Sequence, residues 1–324
     1  MERARENRIK GIKVFHGTDN AGISRGTVLT LGVFDGLHIG HQKIMETVVD
    51  RSRKIGAIPT AITFDPHPRS IVQPEEAPPL LQTLDQRISN LEHLGIEQAI
   101  VIRFDGDFAA RNAEDFLRET VYERLQAKEV YLGKGFAFGK DRSGNIGLLK
   151  KISGELGFVA DEVDEVTLRG HRVSSTLILS GRVNFARRLL GRPYGVEGQI
   201  VRGFQRGRTI GFPTANLKPQ NRVIPKFGVY ATATLIDGRW RRSITNVGVR
   251  PTFEDEKTPS IESFVFDFDG DLYGEVLRIR FLHRIRDERR FDGIDALKTQ
   301  IEADTKVALK YFSFPGVTSS LDLN

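Results

Sequence analysis

The sequence predicts two domains of different class: an α/β domain built on a parallel sheet, then an antiparallel β-barrel with a terminal helix packed on it. Three observations carry this expectation. Up to about residue 185, short apolar runs alternate with helical stretches. From about Gly195, short strands of period two are separated by glycine turns and Asp-Gly pairs, the texture of a compact barrel. The last segment, Ile294–Tyr311, carries Leu297, Ile301, Ala308 and Leu309 at helical spacing. A chain of 324 residues is long for one domain and comfortable for two.

The elements follow in order. Val28–Val33, Ile58–Phe64, Gln98–Phe104 and Val130–Leu132 read as strands, being short, apolar and bounded by turn residues. Between and after them, Gln42–Lys54, Leu84–Leu94, Ala113–Leu125 and Asn184–Leu190 read as helices; the first places Ile44, Val48 and Val49 on one face. In the second half, Val229–Leu235 and Leu277–Leu282 show strand patterning, with Asp237-Gly238 and Asp269-Gly270 as turns. The change of texture puts the domains at 1–184 and 185–324, with Gly191–Gly195 (GRPYG) as the joint.

Composition excludes several classes of function. Hydrophobic content of 39% and charged content of 28% are those of an ordinary globular protein. There is no cysteine, which removes disulfides and thiol-based metal or redox sites. The opening MERARENRIK has no apolar core of a secretory signal, and no run is long enough to span a bilayer, so the expected compartment is the cytoplasm and no membrane partner is expected. A net charge of +6 is spread along the chain, which suits small phosphate-rich ligands as well as nucleic acid; no nucleic-acid partner is expected.

The most informative segment is Leu31–Gln42, LGVFDGLHIGHQ, where a strand turns into a helix. In an open α/β sheet this crevice binds ligands, and the helix N-terminus offers free N–H groups to phosphate. His38 and His41 can donate to phosphate oxygens there, and Gly32, Gly36 and Gly40 let backbone approach closely. Thr63–Pro68, TFDPHP, ends the next strand on the same sheet edge; Asp65 and His67 can touch a ligand, or the prolines equally fix the chain after the strand. Leu132–Asn145 suits a loop over phosphates or a surface turn, and the hydroxyls of Val173–Thr176 bind phosphate or cap a helix.

In the second half, Gly198–Gly211 reads GQIVRGFQRGRTIG, a glycine-rich stretch with Arg206 and Arg208 that can wrap polyphosphate. Pro213–Asn216, PTAN, follows, and its Thr214 and Asn216 are hard oxygen ligands suited to Mg²⁺ held together with ATP phosphates. Glu262 lies on a strand, where it serves as a general base if it faces this segment, or as a solvent-facing edge residue if it does not.

These elements, in this order, resemble the bacterial bifunctional riboflavin kinase/FMN adenylyltransferase (FAD synthetase) family. The resemblance runs from about Leu29 to about Tyr311 and rests on LGVFDGLHIGHQ, TFDPHP, FAFGKDRSG, the SST before GRPY, RTIGFPTANL, NVGVRPTF, and GDLYG with the trailing RDERRF. It implies a Rossmann-like nucleotidylyltransferase domain with the HxGH motif, followed by a riboflavin kinase barrel. In the first, His38 and His41 would hold ATP phosphates while the FMN phosphate attacks the α-phosphorus to form FAD and pyrophosphate. Gly32, Phe34, Asp35, Gly36, Ser175 and Thr176 would bind ATP there, and Asp65, His67 and Pro68 the flavin. In the second, Glu262 would deprotonate the riboflavin 5′-hydroxyl for attack on the γ-phosphorus. Gly203, Gly207 and Arg208 would bind phosphate, Thr214 and Asn216 Mg²⁺, and Arg286 and Phe291 the flavin. ATP is then the co-substrate, and FMN and FAD are the products.

Departures from the family pattern fall mostly in the first domain. Gly135 stands where an amide or carboxylate is usual, and Leu177 and Leu179 stand where two arginines are usual. These losses imply slow adenylyl transfer, because one missing donor at a charged transition state costs about 10²–10³ in rate. The alternative reading is a monofunctional riboflavin kinase whose N-terminal domain only binds a nucleotide or flavin. In the barrel, Phe264 replaces a usual histidine, while Thr214, Asn216 and Glu262 remain. Residues 38–41 also spell the HIGH of class I tRNA synthetases, but no KMSKS-like loop is present and PTAN would go unexplained.

Overall fold

Strands that are apolar at nearly every position need cover on both faces. The computed structural model describes residues 7–9, 11–18, 24–164, 166, 178–201, 211–249 and 259–318, and it builds such a sheet in the first half. The strands are Asn7–Ile9 (β1), Ile12–His16 (β2), Thr27–Leu31 (β3), Ile58–Asp65 (β4), Gln98–Arg103 (β5), Ala127–Gly133 (β6) and Val159–Val163 (β7), in the order β1-β2-β5-β4-β3-β6-β7. Only the β1–β2 pair is antiparallel. Alternate side chains point to opposite faces. Leu29, Leu31, Ile62, Phe64, Ile100 and Ile102 pack against Phe116, Leu117, Leu149 and Ile152. Val28, Ala61, Ala99 and Val101 pack on the other face against Met45, Val48 and Val49 of helix Ile39–Ile55 (α1), and against Ile88 and Leu91 of helix Leu84–His93 (α3). A short helix, Pro68–Val72 (α2), follows β4.

The strands of the second half are Tyr194–Val201 (β8), Ala215–Pro219 (β9), Gly228–Ile236 (β10), Arg239–Val249 (β11), Pro259–Val265 (β12) and Val276–Asp287 (β13). They form a closed antiparallel barrel, β10-β11-β12-β9-β8-β13. Tyr194, Val196, Leu217, Tyr230, Val247, Ile261, Ile279 and Phe281 belong to one buried apolar cluster, with Val183, Ala186 and Leu190 of helix Val183–Leu190. Val229, Ala231, Ala233 and Ile244 pack on Ala308 and Phe312 of the terminal helix Ile294–Phe312, as the helical spacing predicts. A closed ring of five hydroxyls is also buried here. Thr232 bonds Ser243 (2.8 Å) and Thr245 (2.7 Å), Thr234 bonds Ser243 (2.9 Å) and Ser263 (3.2 Å), and Thr245 donates to Ser263 at 3.0 Å. A hydroxyl has one proton to give, so a ring in which each member donates once and accepts once satisfies every member.

Several elements differ from expectation. The strand expected over Val28–Val33 stops at Leu31, because Phe34 (φ 54°), Gly36 (φ 76°) and Leu37 (φ 41°) turn the chain left-handed. The helix expected from Gln42 begins at Ile39, since His38 caps it. Over Ala113–Leu125, only the first turn is α-helical and Phe116–Arg124 widens to a π-helix. Strand β7, VADEV, is half-exposed on the sheet edge and carries two adjacent acidic residues, Asp161 and Glu162, which hides it from an apolar-run criterion. Gly198, expected in a phosphate-wrapping turn, sits in β8, where a Cβ would come within 1.9 Å of Lys218 O; close strand packing explains it.

By internal packing the chain divides into residues 1–78 with 82–172, and 79–81 with 173–324. Ile178 and Val183 belong to the barrel's apolar cluster, so packing draws residues 178–184 to the barrel side of the boundary expected at 184/185. Gly191 (φ 68°) ends helix Val183–Leu190 in the left-handed region, and Tyr194 opens β8, so GRPYG connects two elements of one unit.

Candidate functional site

In the first unit, β3 lies between β4 and β6, and the strand order reverses around it. Open α/β sheets bind ligands beyond the carboxyl ends of the strands at such a reversal, and the LGVFDGLHIGHQ segment follows β3 there. His38 is the N-cap of α1 and accepts from His41 N at 3.3 Å through Nδ1. The two imidazoles stack, with centroids 3.7 Å apart and planes at 19°. The Phe34 ring meets His41 edge-on at 5.3 Å. Glycine favours this packing: a Cβ on Gly32 would lie 2.7 Å from the Phe34 ring, and one on Gly40 would crowd His38 at 3.1 Å. His41 is held well below its ordinary pKa by burial first and by His38 second, so near neutral pH it is an uncharged imidazole. Its Nδ1 is buried with no partner among the described residues. A neutral imidazole beside a helix N-terminus keeps one ring N–H that can donate to a phosphate oxygen.

Asp35 accepts from Gln82 N at 3.1 Å. Beside this loop, His67 caps α2, its Nδ1 accepting from Arg69 N at 3.0 Å, and Pro68 takes the first helical position. The peptide Asp65–Pro66 is cis. Burial, then Arg87 and Arg69, lowers the His67 pKa. Beneath both loops lies a residue that the sequence reading passed over. Arg87 is fully buried, and its Nη1 donates to Thr63 Oγ1 (2.9 Å) and Phe64 O (2.8 Å). The signal was present: Arg87 sits beside Ile88 and one turn before Leu91, on the face of α3 that packs inward.

The FAFGKDRSG loop is folded by its own packing. Phe138 enters the apolar cluster and pairs with Gly144, while Asp141 (φ 52°) and Arg142 (φ 57°) form a left-handed turn. Gly135 (φ 72°) donates its N–H to Glu162 at 2.9 Å and has open space where a Cβ would stand. Leu179 is 48% exposed. Ser175, Thr176 and Leu177 lie outside the described residues, as do Gly203, Arg206, Gly207, Arg208 and residues 250–253.

In the second unit, register brings the candidate residues together. Glu262 on β12 pairs directly with Asn216 on β9 and with Asn246 on β11. Thr214 lines a pocket of about 510 Å³ with Ile200, Ala215, Ser263, Phe268 and the Asp269–Tyr273 loop. That size suits a small organic ligand. Asn216 is buried and Glu262 half-buried. Glu288 was not foreseen. Burial is the main cause that raises its pKa, and the charge of Glu262 adds to it, so the two carboxyls share one neighbourhood. Arg286 braces the barrel: its Nε reaches both Asp304 oxygens (3.0 and 2.9 Å), its Nη2 lies 2.8 Å from Asp304 Oδ2, and its Nη1 donates to Asp287 O at 2.9 Å. The same guanidinium sits 5.6 Å over the Phe291 ring.

No group of three or more His, Cys, Asp or Glu that could cage a metal occurs among the described residues, and no described helix is long and apolar enough to cross a membrane. Residues 21–177 match the FAD synthetase family and residues 190–312 the riboflavin kinase family. The bifunctional riboflavin kinase/FMN adenylyltransferase of Haemophilus influenzae is 34% identical over 308 residues, covering 93% of this chain and 100% of that protein. The Bacillus subtilis protein of the same description is 35% identical over 296 residues, covering 89% of this chain and 93% of its own. The crystal structure of the macrolide-efflux protein from Streptococcus pneumoniae superposes with a TM-score of 0.82 at 30% identity, covering 91% of this chain and 98% of that one.

Proposed function

The chain belongs to the bifunctional riboflavin kinase/FMN adenylyltransferase family, and on that basis we propose which of its residues perform each reaction. It is an enzyme of FAD biosynthesis that phosphorylates riboflavin to FMN and adenylylates FMN to FAD. The observation that carries the site assignment is the cross-strand pairing of Glu262 with Asn216, which brings a candidate base beside a candidate metal ligand.

In the barrel, Glu262 takes the proton of the riboflavin 5′-hydroxyl as that oxygen attacks the γ-phosphorus of ATP and ADP leaves. Thr214 and Asn216 offer one hydroxyl and one amide oxygen, and no carboxylate cage surrounds them among the described residues. That donor set fits Mg²⁺ held mainly by nucleotide phosphates. When bound, the ion neutralises charge on those phosphates. The pocket beside Thr214 receives the nucleotide, and Phe291, held by Arg286, contacts the flavin.

In the α/β unit, an FMN phosphate oxygen attacks the α-phosphorus of ATP and pyrophosphate leaves. His38 and His41 donate to phosphate oxygens, and their stacking fixes both rings in one orientation, so little reorganisation is needed at the moment of reaction. Gly32, Phe34, Asp35 and Gly36 shape the nucleotide side of the crevice; Asp65, His67 and Pro68 shape the flavin side. Ser175 and Thr176 are assigned to ATP phosphates on the sequence alone, as are Gly203, Gly207 and Arg208 in the barrel. The test is purified protein with riboflavin, ATP and Mg²⁺, with FMN and FAD separated over time. Accumulation of both, with FMN preceding FAD, is expected. FMN without FAD would reduce the α/β unit to a binding scaffold.

A further inference from the structure

We propose that Arg87 is a positioning residue for adenylyl transfer, holding the loop after β3 and the loop after β4 in a fixed relation so that they bind the nucleotide and the flavin as one surface. The proposal rests on the assignment of these two loops to the adenylyl-transfer site.

Arg87 comes from α3, which belongs to neither loop, yet it bonds the end of β4 directly and is linked to the end of β3 through Thr63. Through Nη1 it donates to Phe64 O, one residue before the TFDPHP turn, and to Thr63 Oγ1. Thr63 Oγ1 in turn donates to Val33 O at 3.0 Å, one residue before Phe34. One guanidinium therefore fixes the exit of β4 directly and the exit of β3 through one hydroxyl. The carboxylates of Asp35 and Asp65, one in each loop, both face its charge and favour the cation, against the burial that disfavours it.

A hydrocarbon of the same length would fill this space more cheaply if packing were the only need. Burying a guanidinium is costly unless its donors are matched, and here Nε and Nη2 are buried without a partner among the described residues. A fold that keeps a cation on such terms at its ligand crevice is using it to hold two acidic loops close together. Loop register matters to this chemistry because an error of about 1 Å in the position of reacting groups can cost about 10²-fold in rate.

The test uses the full-length protein, whose kinase activity reports on the integrity of each preparation. Arg87→Met, Arg87→Lys and Thr63→Val are assayed for FAD formation from FMN and ATP, with kcat expressed per FMN-binding site. Arg87→Met should lower kcat about 100-fold while the FMN and ATP constants change far less. Arg87→Lys should recover part of the loss, and Thr63→Val should lose about 10-fold. The Arg87→Met/Thr63→Val double variant should be no worse than Arg87→Met, since both act on one loop arrangement. Riboflavin phosphorylation should stay within twofold throughout. The positioning role is overturned if both single removals keep kcat per site within threefold, or if activity falls only in proportion to the FMN sites lost. His41→Ala separates the two levels of the argument. If it leaves FAD synthesis intact, the site assignment fails; if it abolishes FAD synthesis while Arg87→Met and Thr63→Val do not, only the positioning role fails.

Discussion

The roles proposed for Glu262 and His41 differ, and each can be tested alone. Glu262→Gln keeps the shape and removes the base, so riboflavin and ATP binding should stay near normal while kinase turnover falls about 10²–10⁴-fold. FMN production near the wild-type rate would show that Glu262 is not the base. Thr214→Ala should shift the Mg²⁺ dependence of the kinase to higher concentration, because one hard oxygen is lost. His41 makes a pH prediction. Its folded pKa lies well below the ordinary histidine value of 6.5, so the unfolded chain binds more protons below that pH. Stability of the α/β unit is therefore undiminished above about pH 6.5 and declines as pH falls. His41→Gln should flatten that decline, which thermal unfolding at pH 7.5 and 5.5 would register; an unchanged slope would mean that another group titrates.

These residues were legible to different degrees. His38, His41, Thr214 and Asn216 stand in short motifs whose spacing alone suggests phosphate or metal chemistry. Glu262 was visible as a strand residue, but its apposition to Asn216 depends on barrel register, which no local pattern encodes. Arg87 and Glu288 were missed for the same reason: their surroundings come from chain segments distant in sequence.

At the scale of elements, the long apolar strands of the α/β sheet could be read directly, whereas β7 and the β1–β2 hairpin could not, being short or half-exposed. The terminal helix could also be read, and one ion pair helps to attach it. Asp304 is almost fully buried and its partner Arg286 largely so. Asp304→Asn leaves the cation without its charge partner and should lower the stability of the barrel by about 3 kcal/mol, seen as a lower urea midpoint of kinase inactivation. An unchanged midpoint would mean that Gln300 and backbone carbonyls already suffice. The loop bearing Gly135 offers the opposite kind of change. Its open, left-handed backbone accepts asparagine better than most residues. Gly135→Asn combined with Leu177→Arg should raise the rate of FAD formation more than it tightens ATP binding, and no gain would show that other groups already supply those charges.

For the whole molecule, the two activities invite separation. The sequence shows two textures, but texture changes where the strands begin, while packing changes where the first barrel-bound side chain appears. A fragment starting near residue 173 keeps Ile178 and the helix Val183–Leu190 with the barrel core, and should fold and phosphorylate riboflavin. A fragment starting at Gly191 exposes the apolar surface that this helix covers, and should be less soluble and less stable. Equal behaviour of the two fragments in thermal unfolding would show that the helix is dispensable.

The ring of Thr232, Thr234, Ser243, Thr245 and Ser263 has a consequence for descent rather than for chemistry. Each member bonds two others, so changing any one to an apolar residue takes from each of its two buried neighbours one of its two ring bonds. The five positions therefore cannot drift independently. A lineage that leaves this arrangement must cross a poorly folding intermediate or change several codons together, and the fitness effect of each substitution is set by the state of the other four. Variation among descendants of this chain should appear here as correlated blocks, all five hydroxyls kept or several replaced at once, on three consecutive strands.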